Sequence, residues 1–289
     1  MRLVSYLTDQ GPRAAALRGQ ETVDLQRADP RLPSSLRELL AAGTDLWPRV
    51  AEAAERGAGL PLSTVRLAPP VPDPRKIICI GLNYADHAKE TGAEPPPEPV
   101  VFNKFLTALT AHEQPVALPA ASSEVDYEAE LVAVIGLGGR HIPRERALEH
   151  VAGYTCGNDI SARDWQKNKP SKQWLLGKSF DTFAPCGPVL VTADEVGNAE
   201  NLRIQLRLNG QTMQDSTTAQ LIYGIAHLVS YLSQVVTLEP GDLIYTGTPP
   251  GVGMARKPPV FLKPGDLVEV EIERIGLLRN RVVAEAGPA

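Results

Sequence analysis

The pattern of apolar and polar positions is most informative in residues 126–135, where DYEAELVAVI alternates like a strand. Glu128 and Glu130 share one face with two valines, and the opposite face carries alanine, leucine and isoleucine, so both faces are expected to be buried. Two neighbouring carboxylates are costly to bury unless a cation lies against them. A hard divalent cation, which prefers oxygen ligands, is the simplest candidate. The alternative is an edge strand whose glutamates reach water at the mouth of a cleft.

Similar apolar runs, separated by Gly, Pro and Asp turns, predict most of the remaining chain to be strands. One amphipathic helix is predicted over residues 218–232, and a short polar helix over residues 83–90. Because strands outnumber helices and do not alternate with them, the pattern predicts an α+β, β-rich fold and not a doubly wound sheet. The predicted strands of this larger part are residues 76–81, 100–105, 130–135, 153–156, 188–192, 203–209, 242–246 and 267–275, with an Asn-Gly hairpin turn at residues 209–210.

The first part of the chain has the pattern of a small separate unit. Strands are expected in residues 1–7 and 14–25, and short helices in residues 36–40 and 46–56, the second capped by Asp45. Four prolines at positions 69–74 then form a stiff extended link. We therefore expect a small N-terminal α+β domain over residues 1–68 and a larger domain over residues 69–289.

Composition narrows the class of protein. The 289 residues are 43% hydrophobic and 22% charged, which is ordinary for a globular protein, and the net charge of −5 argues against nucleic-acid binding. No apolar stretch approaches the ~20 residues that span a bilayer, and the N-terminus lacks the apolar core of a signal peptide, so no membrane partner and a cytoplasmic location are expected. Cys79, Cys156 and Cys186 are too far apart for a disulfide framework or a zinc site and are expected to be buried thiols.

A third carboxylate can join the glutamate pair. Asp159 ends a short apolar strand at a glycine-containing bend, GYTCGND. Glu128, Glu130 and Asp159, with open positions for water and substrate, would make a Mg²⁺-type site, and Mn²⁺ or Ca²⁺ would also fit. Considered alone, Asp159 is more typical of a turn.

Two cationic residues follow at positions that suit an anionic substrate. Arg163 could clamp a substrate carboxylate, although a surface ion pair with Asp164 or Asp159 is equally compatible with the spacing. Gln166 could orient a substrate oxygen. Lys178 lies in an apolar run, so it either extends to solvent or faces buried carboxylates, where it could stabilise an enolate.

Two further segments suggest chemistry. His87 and Glu90 are three apart in NYADHAKE, the spacing of a carboxylate-oriented general base, although an exposed helix with an incidental pair is the commoner case. In PGDLIYTGTPPGVG, backbone amides and the Thr248 hydroxyl could hold a carboxylate, or the segment could be a plain β-turn. The run GLGGRH at residues 136–141 is not a dinucleotide fingerprint, because His141 occupies the place of the third glycine.

Taken together, these segments resemble the fumarylacetoacetate hydrolase family, over about residues 70–283. The closest likeness is to the 2-hydroxyhepta-2,4-diene-1,7-dioate isomerase-like members, whose relatives include acylpyruvate hydrolases, oxaloacetate decarboxylases and oxaloacetate tautomerases. The matching segments are GLNYADHAKE, VDYEAELVAVIG, GNDISARDWQ, QWLLGKSFDTFAP and PGDLIYTGTPPGVG followed by RKPPVFLKPGD.

The resemblance implies a mixed β-sandwich roll and a homodimer. It also implies Mg²⁺ or Mn²⁺ on the acidic trio with Lys178 beside the metal, and His87 and Glu90 as a water-activating dyad on a lid. The oxo-acid end of a small-molecule substrate would be held by Arg163, Gln166 and Thr248.

The expected activity is metal-dependent hydrolysis or lysis of a C–C bond in a 2-oxo or 2,4-dioxo acid, because the dyad adds water activation. An oxaloacetate decarboxylase, or a keto–enol tautomerase or isomerase, in the same site is the first alternative. A non-catalytic metal- or ligand-binding module is the second.

Overall fold

One large sheet connects the beginning of the chain with the part that follows the proline link. The computed structural model describes residues 1–86, 94–170 and 173–286, and it confirms a β-rich α+β fold of mixed sheets. The predicted helix over residues 83–90 lies partly outside the described residues. Within the described residues, the strands are β1 (Arg2–Thr8), β2 (Gly11–Arg18), β3 (Glu21–Asp24), β4 (Gly59–Pro61), β5 (Leu67–Ala68), β6 (Ile77–Gly81), β7 (Val100–Lys104), β8 (Leu109–Ala111), β9 (Val116–Leu118), β10 (Val125–Asp126), β11 (Ala129–Ile135), β12 (Val151–Asn158), β13 (Ser161–Ala162), β14 (Ala184–Thr192), β15 (Arg203–Leu208), β16 (Gln211–Thr217), β17 (Leu243–Tyr245), β18 (Leu267–Ile272) and β19 (Gly276–Ala284).

The helices of the described residues are short and lie around the sheets. They are α1 (Leu25–Ala28), α2 (Leu36–Ala41), α3 (Trp47–Arg56), α4 (Arg163–Lys167), α5 (Trp174–Lys178), α6 (Ala193–Val196) and α7 (Ile225–Val235). None of them is long and apolar enough to cross a membrane.

The largest sheet has twelve strands, with the order β4-β3-β2-β1-β14-β12-β11-β17-β6-β7 along its main path. Strand β1 pairs antiparallel with β14, so the predicted N-terminal unit and the rest of the chain share one sheet. A second sheet has the order β16-β15-β18-β19-β9, and a two-stranded sheet joins β10 to β13. The division at residue 68 stays a prediction.

The core is centred on β11 and its neighbours β12 and β17. Every residue of β11 is buried, as the apolar character of both faces predicts. The three cysteines are buried free thiols, which confirms that expectation. The predicted hairpin is also present between β15 and β16, where Asn209 and Gly210 both have positive φ, as a tight two-residue turn requires.

Two local predictions are wrong. The helix predicted from Thr218 begins only at Ile225, because the preceding segment turns back to bind Asn83: Tyr223 N donates to Asn83 Oδ1 over 2.8 Å. Asp45 does not cap α3, since the residue before Trp47 is Leu46 and a proline at the start of the helix fixes its first turn instead.

Candidate active site

Two adjacent antiparallel strands bring the three predicted metal ligands together. In the β11–β12 pair, Ala129 lies opposite Asn158, so Glu128 and Asp159 meet just beyond the paired ends. Asp159 N donates to the Glu128 carbonyl over 2.9 Å, and Glu128 N donates to Asn158 Oδ1 over 2.9 Å. The three carboxylates offer oxygens that all lie within 4.8 Å of one another.

Glu128 is the most strongly paired of the three acids. Its two carboxylate oxygens each lie 2.7 Å from a buried cation, one from Arg163 and the other from Lys178. Burial opposes ionisation, but Lys178 and Arg163 outweigh it and hold the pKa of Glu128 at about 2. This carboxylate is therefore ionised at any physiological pH.

Glu130 has the opposite environment. Among the described residues it forms no ion pair, and its carboxylate accepts a hydrogen bond from Gly247 N over 2.8 Å. Burial, with the nearby Asp159 and Glu128 carboxylates, raises the pKa of Glu130 well above its usual range. A divalent cation would favour the ionised form of Glu130, and this set of three carboxylates fits a metal such as Mg²⁺ or Mn²⁺.

Two lysines hold Asp159 from opposite sides. Lys178 Nζ lies 2.7 Å from one Asp159 oxygen and bridges to Glu128, and Lys104 Nζ lies 2.6 Å from the other oxygen. The carboxylates raise the pKa of Lys178 against the opposing effect of burial, so it stays an ammonium. Lys178 therefore faces buried carboxylates and does not extend to solvent.

Lys104, at the end of β7, is a part of the site that no pattern in the sequence predicts. Its side chain is fully buried, and it also donates to the carbonyl oxygens of Ile160 and Phe183. It does not line the cavity described below.

Arg163 is buried at the start of α4, so the interpretation as a surface ion pair with Asp164 or Asp159 is wrong. Two guanidinium nitrogens lie 2.8 Å from Asp126 Oδ2, and the remaining terminal nitrogen donates to Gln166 Oε1 over 3.0 Å. Asp126 therefore orients both Arg163 and, through it, Gln166, a role that no local sequence pattern indicates.

The loop after β17 forms the opposite wall. Gly247 has a φ of +105°, which favours glycine, and its amide donates to the Glu130 carboxylate, so this amide is already engaged. The Thr248 hydroxyl accepts a hydrogen bond from Gln214 Nε2 over 2.8 Å, while Gln214 Oε1 accepts one from Ala129 N. The Thr248 hydroxyl proton is thus directed away from Gln214 and is available to another acceptor.

These residues surround one cavity of about 390 Å³, within the range of small-ligand sites. Apolar side chains such as Phe102, Trp174 and Val252 complete the walls. Of the predicted site residues, those that line the cavity are Glu128, Glu130, Asp159, Arg163, Gln166, Lys178 and Thr248. His87 and Glu90 lie outside the described residues.

Comparison with known proteins agrees with this geometry. The profile of the fumarylacetoacetate (FAA) hydrolase C-terminal domain matches residues 76–283. The chain belongs to the fumarylacetoacetate hydrolase family. A relative from Xenopus laevis, the mitochondrial oxaloacetate tautomerase fahd2, is 46% identical over 288 residues, which cover 98% of this chain and 90% of that protein. The β-rich α+β class predicted for the chain is confirmed as the fold of this enzyme family.

Two solved structures extend the comparison over almost the whole length. A fumarylacetoacetate hydrolase from Exiguobacterium antarcticum has a TM-score of 0.86 and 36% identity, covering 99% of this chain and all of that one. A maleylpyruvate hydrolase from Sphingobium sp. SYK-6, in complex with manganese(II) and pyruvate, has a TM-score of 0.83 and 32% identity, with the same coverage. The protein is thus an enzyme of a family that acts on small molecules, and a divalent metal is consistent with its acidic trio.

Proposed function

We propose that this protein is a divalent-metal-dependent keto–enol tautomerase of a small 2-oxo acid, with oxaloacetate as the first substrate to test. The observation that carries the proposal is the buried acidic trio with Lys178 between two of its members, facing a cavity that also contains Arg163. The oxaloacetate tautomerase name of a 46% identical relative supports this reaction over the C–C bond cleavage that the sequence favoured.

Glu128, Glu130 and Asp159 would hold the metal, with Mg²⁺ preferred and Mn²⁺ or Ca²⁺ as alternatives. When bound, the metal would act as a Lewis acid on the 2-oxo group and lower the energy of the enol form. Arg163 and Gln166 would bind the carboxylate next to the 2-oxo group, because together they offer charged and neutral donors. The Thr248 hydroxyl would donate to the same end of the substrate.

Tautomerisation moves one proton between C3 and the 2-oxo oxygen and breaks no carbon–carbon bond. Lys178, kept as an ammonium by its carboxylates, would stabilise negative charge that develops at the oxygen. We propose His87, oriented by Glu90, as the base that exchanges the proton at C3. The same pair would activate water in a hydrolase, so hydrolysis of an acylpyruvate is the second candidate. The maleylpyruvate hydrolase neighbour favours it.

The test uses purified protein with Mg²⁺ or Mn²⁺ and freshly dissolved enol-oxaloacetate. Loss of the enol absorbance is followed while pyruvate and CO₂ are measured separately, and acetylpyruvate is assayed in parallel. Faster enol loss than with metal alone, without pyruvate or CO₂, is the expected result, and EDTA should abolish it. Formation of pyruvate from acetylpyruvate would favour hydrolase activity. Formation of pyruvate and CO₂ from oxaloacetate would favour decarboxylase activity. No metal-dependent turnover of any of them would contradict the proposal.

Three broader predictions stay with this proposal. We propose that residues 1–68 act as a small accessory domain, that the enzyme is a homodimer and that it is cytoplasmic. Light scattering of the purified protein tests whether it is a dimer. A fluorescent fusion tests whether it is cytoplasmic, which matters because the named Xenopus relative is mitochondrial.

A further inference from the structure

Lys167 is a cation of the active-site cavity that the proposed reaction does not yet use. It ends α4, four residues after Arg163, so the two side chains lie on the same face of that helix. It lines the same cavity as the acidic trio and Lys178, yet its side chain is exposed. Within the described ranges, no carboxylate pairs with it.

The neighbouring lysine has a different environment. Lys169 Nζ lies 4.2 Å from the centre of the Trp165 ring and does not line the cavity. Burial and then the Arg163 guanidinium lower the pKa of Lys167. A bound anion would offset the repulsion between the two cations and favour the ammonium form of Lys167.

The net charge of the site indicates whether that anion is a monoanion or a dianion. Four buried carboxylates face three buried cations, and a divalent metal bound to the ionised acidic trio would leave the site with one net positive charge. Lys167 adds a second positive charge at the exposed side of the cavity. The combined charge matches a dianion better than a monoanion. The residues counted are Asp126, Glu128, Glu130 and Asp159 with Lys104, Arg163 and Lys178.

We propose that Lys167 is a specificity-determining residue that binds the second carboxylate of a four-carbon dicarboxylic 2-oxo acid. The first carboxylate and the 2-oxo group would occupy the inner end of the cavity, against the acidic trio and Arg163. The second carboxylate would then lie toward the exposed end, where Lys167 is the cavity-lining cation. This inference rests on the proposed function for its substrate class.

Two stable acids test it without turnover. Malate and 2-hydroxybutyrate have the same four-carbon chain and the same hydroxy-acid end, and only malate has the second carboxylate. Calorimetric titration of the Mn²⁺-loaded protein should give tighter binding of malate. Lys167→Met should weaken malate binding by about 5-fold and leave 2-hydroxybutyrate binding unchanged, since a partly exposed ion pair is worth up to ~1 kcal/mol.

Lys169→Met is the matched control, because it removes a lysine of the same segment that does not line the cavity. It should leave the affinity for both acids unchanged. Equal binding of the two acids by the wild-type protein, failure to bind either, or an equal loss of both in Lys167→Met would each overturn the inference. A malate preference that depends on Lys167, in a protein that fails to convert enol-oxaloacetate, would instead refute only the tautomerase.

Discussion

Asp126 and Arg163 form a fully buried ion pair, in which two guanidinium nitrogens lie 2.8 Å from a single carboxylate oxygen, Asp126 Oδ2. The same carboxylate accepts hydrogen bonds from the amides of Gly253 and Met254. One side chain therefore fixes both the proposed carboxylate-binding arginine and a loop that contributes Met254 to the cavity wall. Asp126 does not line the cavity itself, so we regard it as a positioning residue.

Asp126→Asn should disturb binding and stability together. The amide group faces only donors at either position, Arg163 and Met254 N at Oδ2 or Tyr127 N and Gly253 N at Oδ1, so two of these groups lose the carboxylate as their acceptor. We expect the free energy of unfolding to fall by about 3 kcal/mol, the cost of breaking a buried ion pair. KM for the 2-oxo acid should rise about 10-fold with a smaller change in kcat. Urea denaturation and steady-state kinetics measure the two effects.

Asp164→Asn is the control for that change, because Asp164 directly follows Arg163 in the sequence, does not line the cavity, and accepts a hydrogen bond from Ser122 Oγ. It should leave KM unaltered. A normal KM in Asp126→Asn would show that Arg163 does not need this carboxylate for its orientation.

The two glutamates of one strand should respond in opposite ways when the metal is absent. Glu128 binds both Arg163 and Lys178, so Glu128→Gln removes the partner of two buried cations and should lower the free energy of unfolding by about 3–5 kcal/mol. Glu130 forms no ion pair among the described residues, and Glu130→Gln puts a neutral group in place of a carboxyl whose ionised form is disfavoured by burial and by the Asp159 and Glu128 carboxylates. It should raise the melting temperature in EDTA by about 2 °C or more.

Both substitutions should remove the stabilisation that Mn²⁺ gives the wild-type protein, because each deletes a proposed ligand. Melting curves with EDTA and with Mn²⁺, recorded for the three proteins, make the comparison. If Glu130→Gln were destabilised in EDTA as strongly as Glu128→Gln, then the two carboxylates would have equivalent environments and the proposed metal site would lose its support.

The same carboxylate predicts a pH dependence. Burial and the neighbouring Asp159 and Glu128 raise the pKa of Glu130 in the folded protein above the usual value of 4.5. Its contribution to stability is therefore complete below about pH 4.5 and is lost as the pH rises through the raised pKa. In EDTA, the melting-temperature advantage of Glu130→Gln over wild type should grow from about pH 5 to about pH 8. A constant difference over this range would contradict it.

Much of this site could be predicted from sequence because its signals are local. A charged residue within an apolar run stands out from its immediate neighbours, and this local signal indicates Glu128, Glu130 and Lys178. Asp159 and Thr248 follow apolar strands at glycine-containing bends, so the adjoining residues alone are enough to predict them. The strands themselves follow from alternation and from turn residues, so most were predicted to within a few positions.

What the sequence could not predict depends on contacts between distant segments. Lys104 donates to a carbonyl 56 residues away, and nothing near it in sequence distinguishes its role from that of an exposed strand-end lysine. The hydrogen bond from Gln214 to Thr248 likewise joins residues that are 34 positions apart, so it leaves no local signal in the sequence. The pairing of β1 with β14 joins parts of the chain that are almost 190 residues apart, so a boundary drawn from the proline link gives no indication of the shared sheet.

Thr248 provides a test of hydrogen bonding without a change of charge. Gln214 Nε2 donates to its hydroxyl oxygen, so the hydroxyl proton is free for a substrate oxygen. Thr248→Val keeps the shape and removes this donor. We expect KM to rise about 10-fold, because a hydrogen bond to a charged group is worth ~1.5–3 kcal/mol. Thr248→Ser retains the hydroxyl and should restore most of the affinity, whereas a merely structural role would be disturbed by both. Steady-state kinetics of the three proteins decides between these results, and an unchanged KM in Thr248→Val would remove this residue from the binding site.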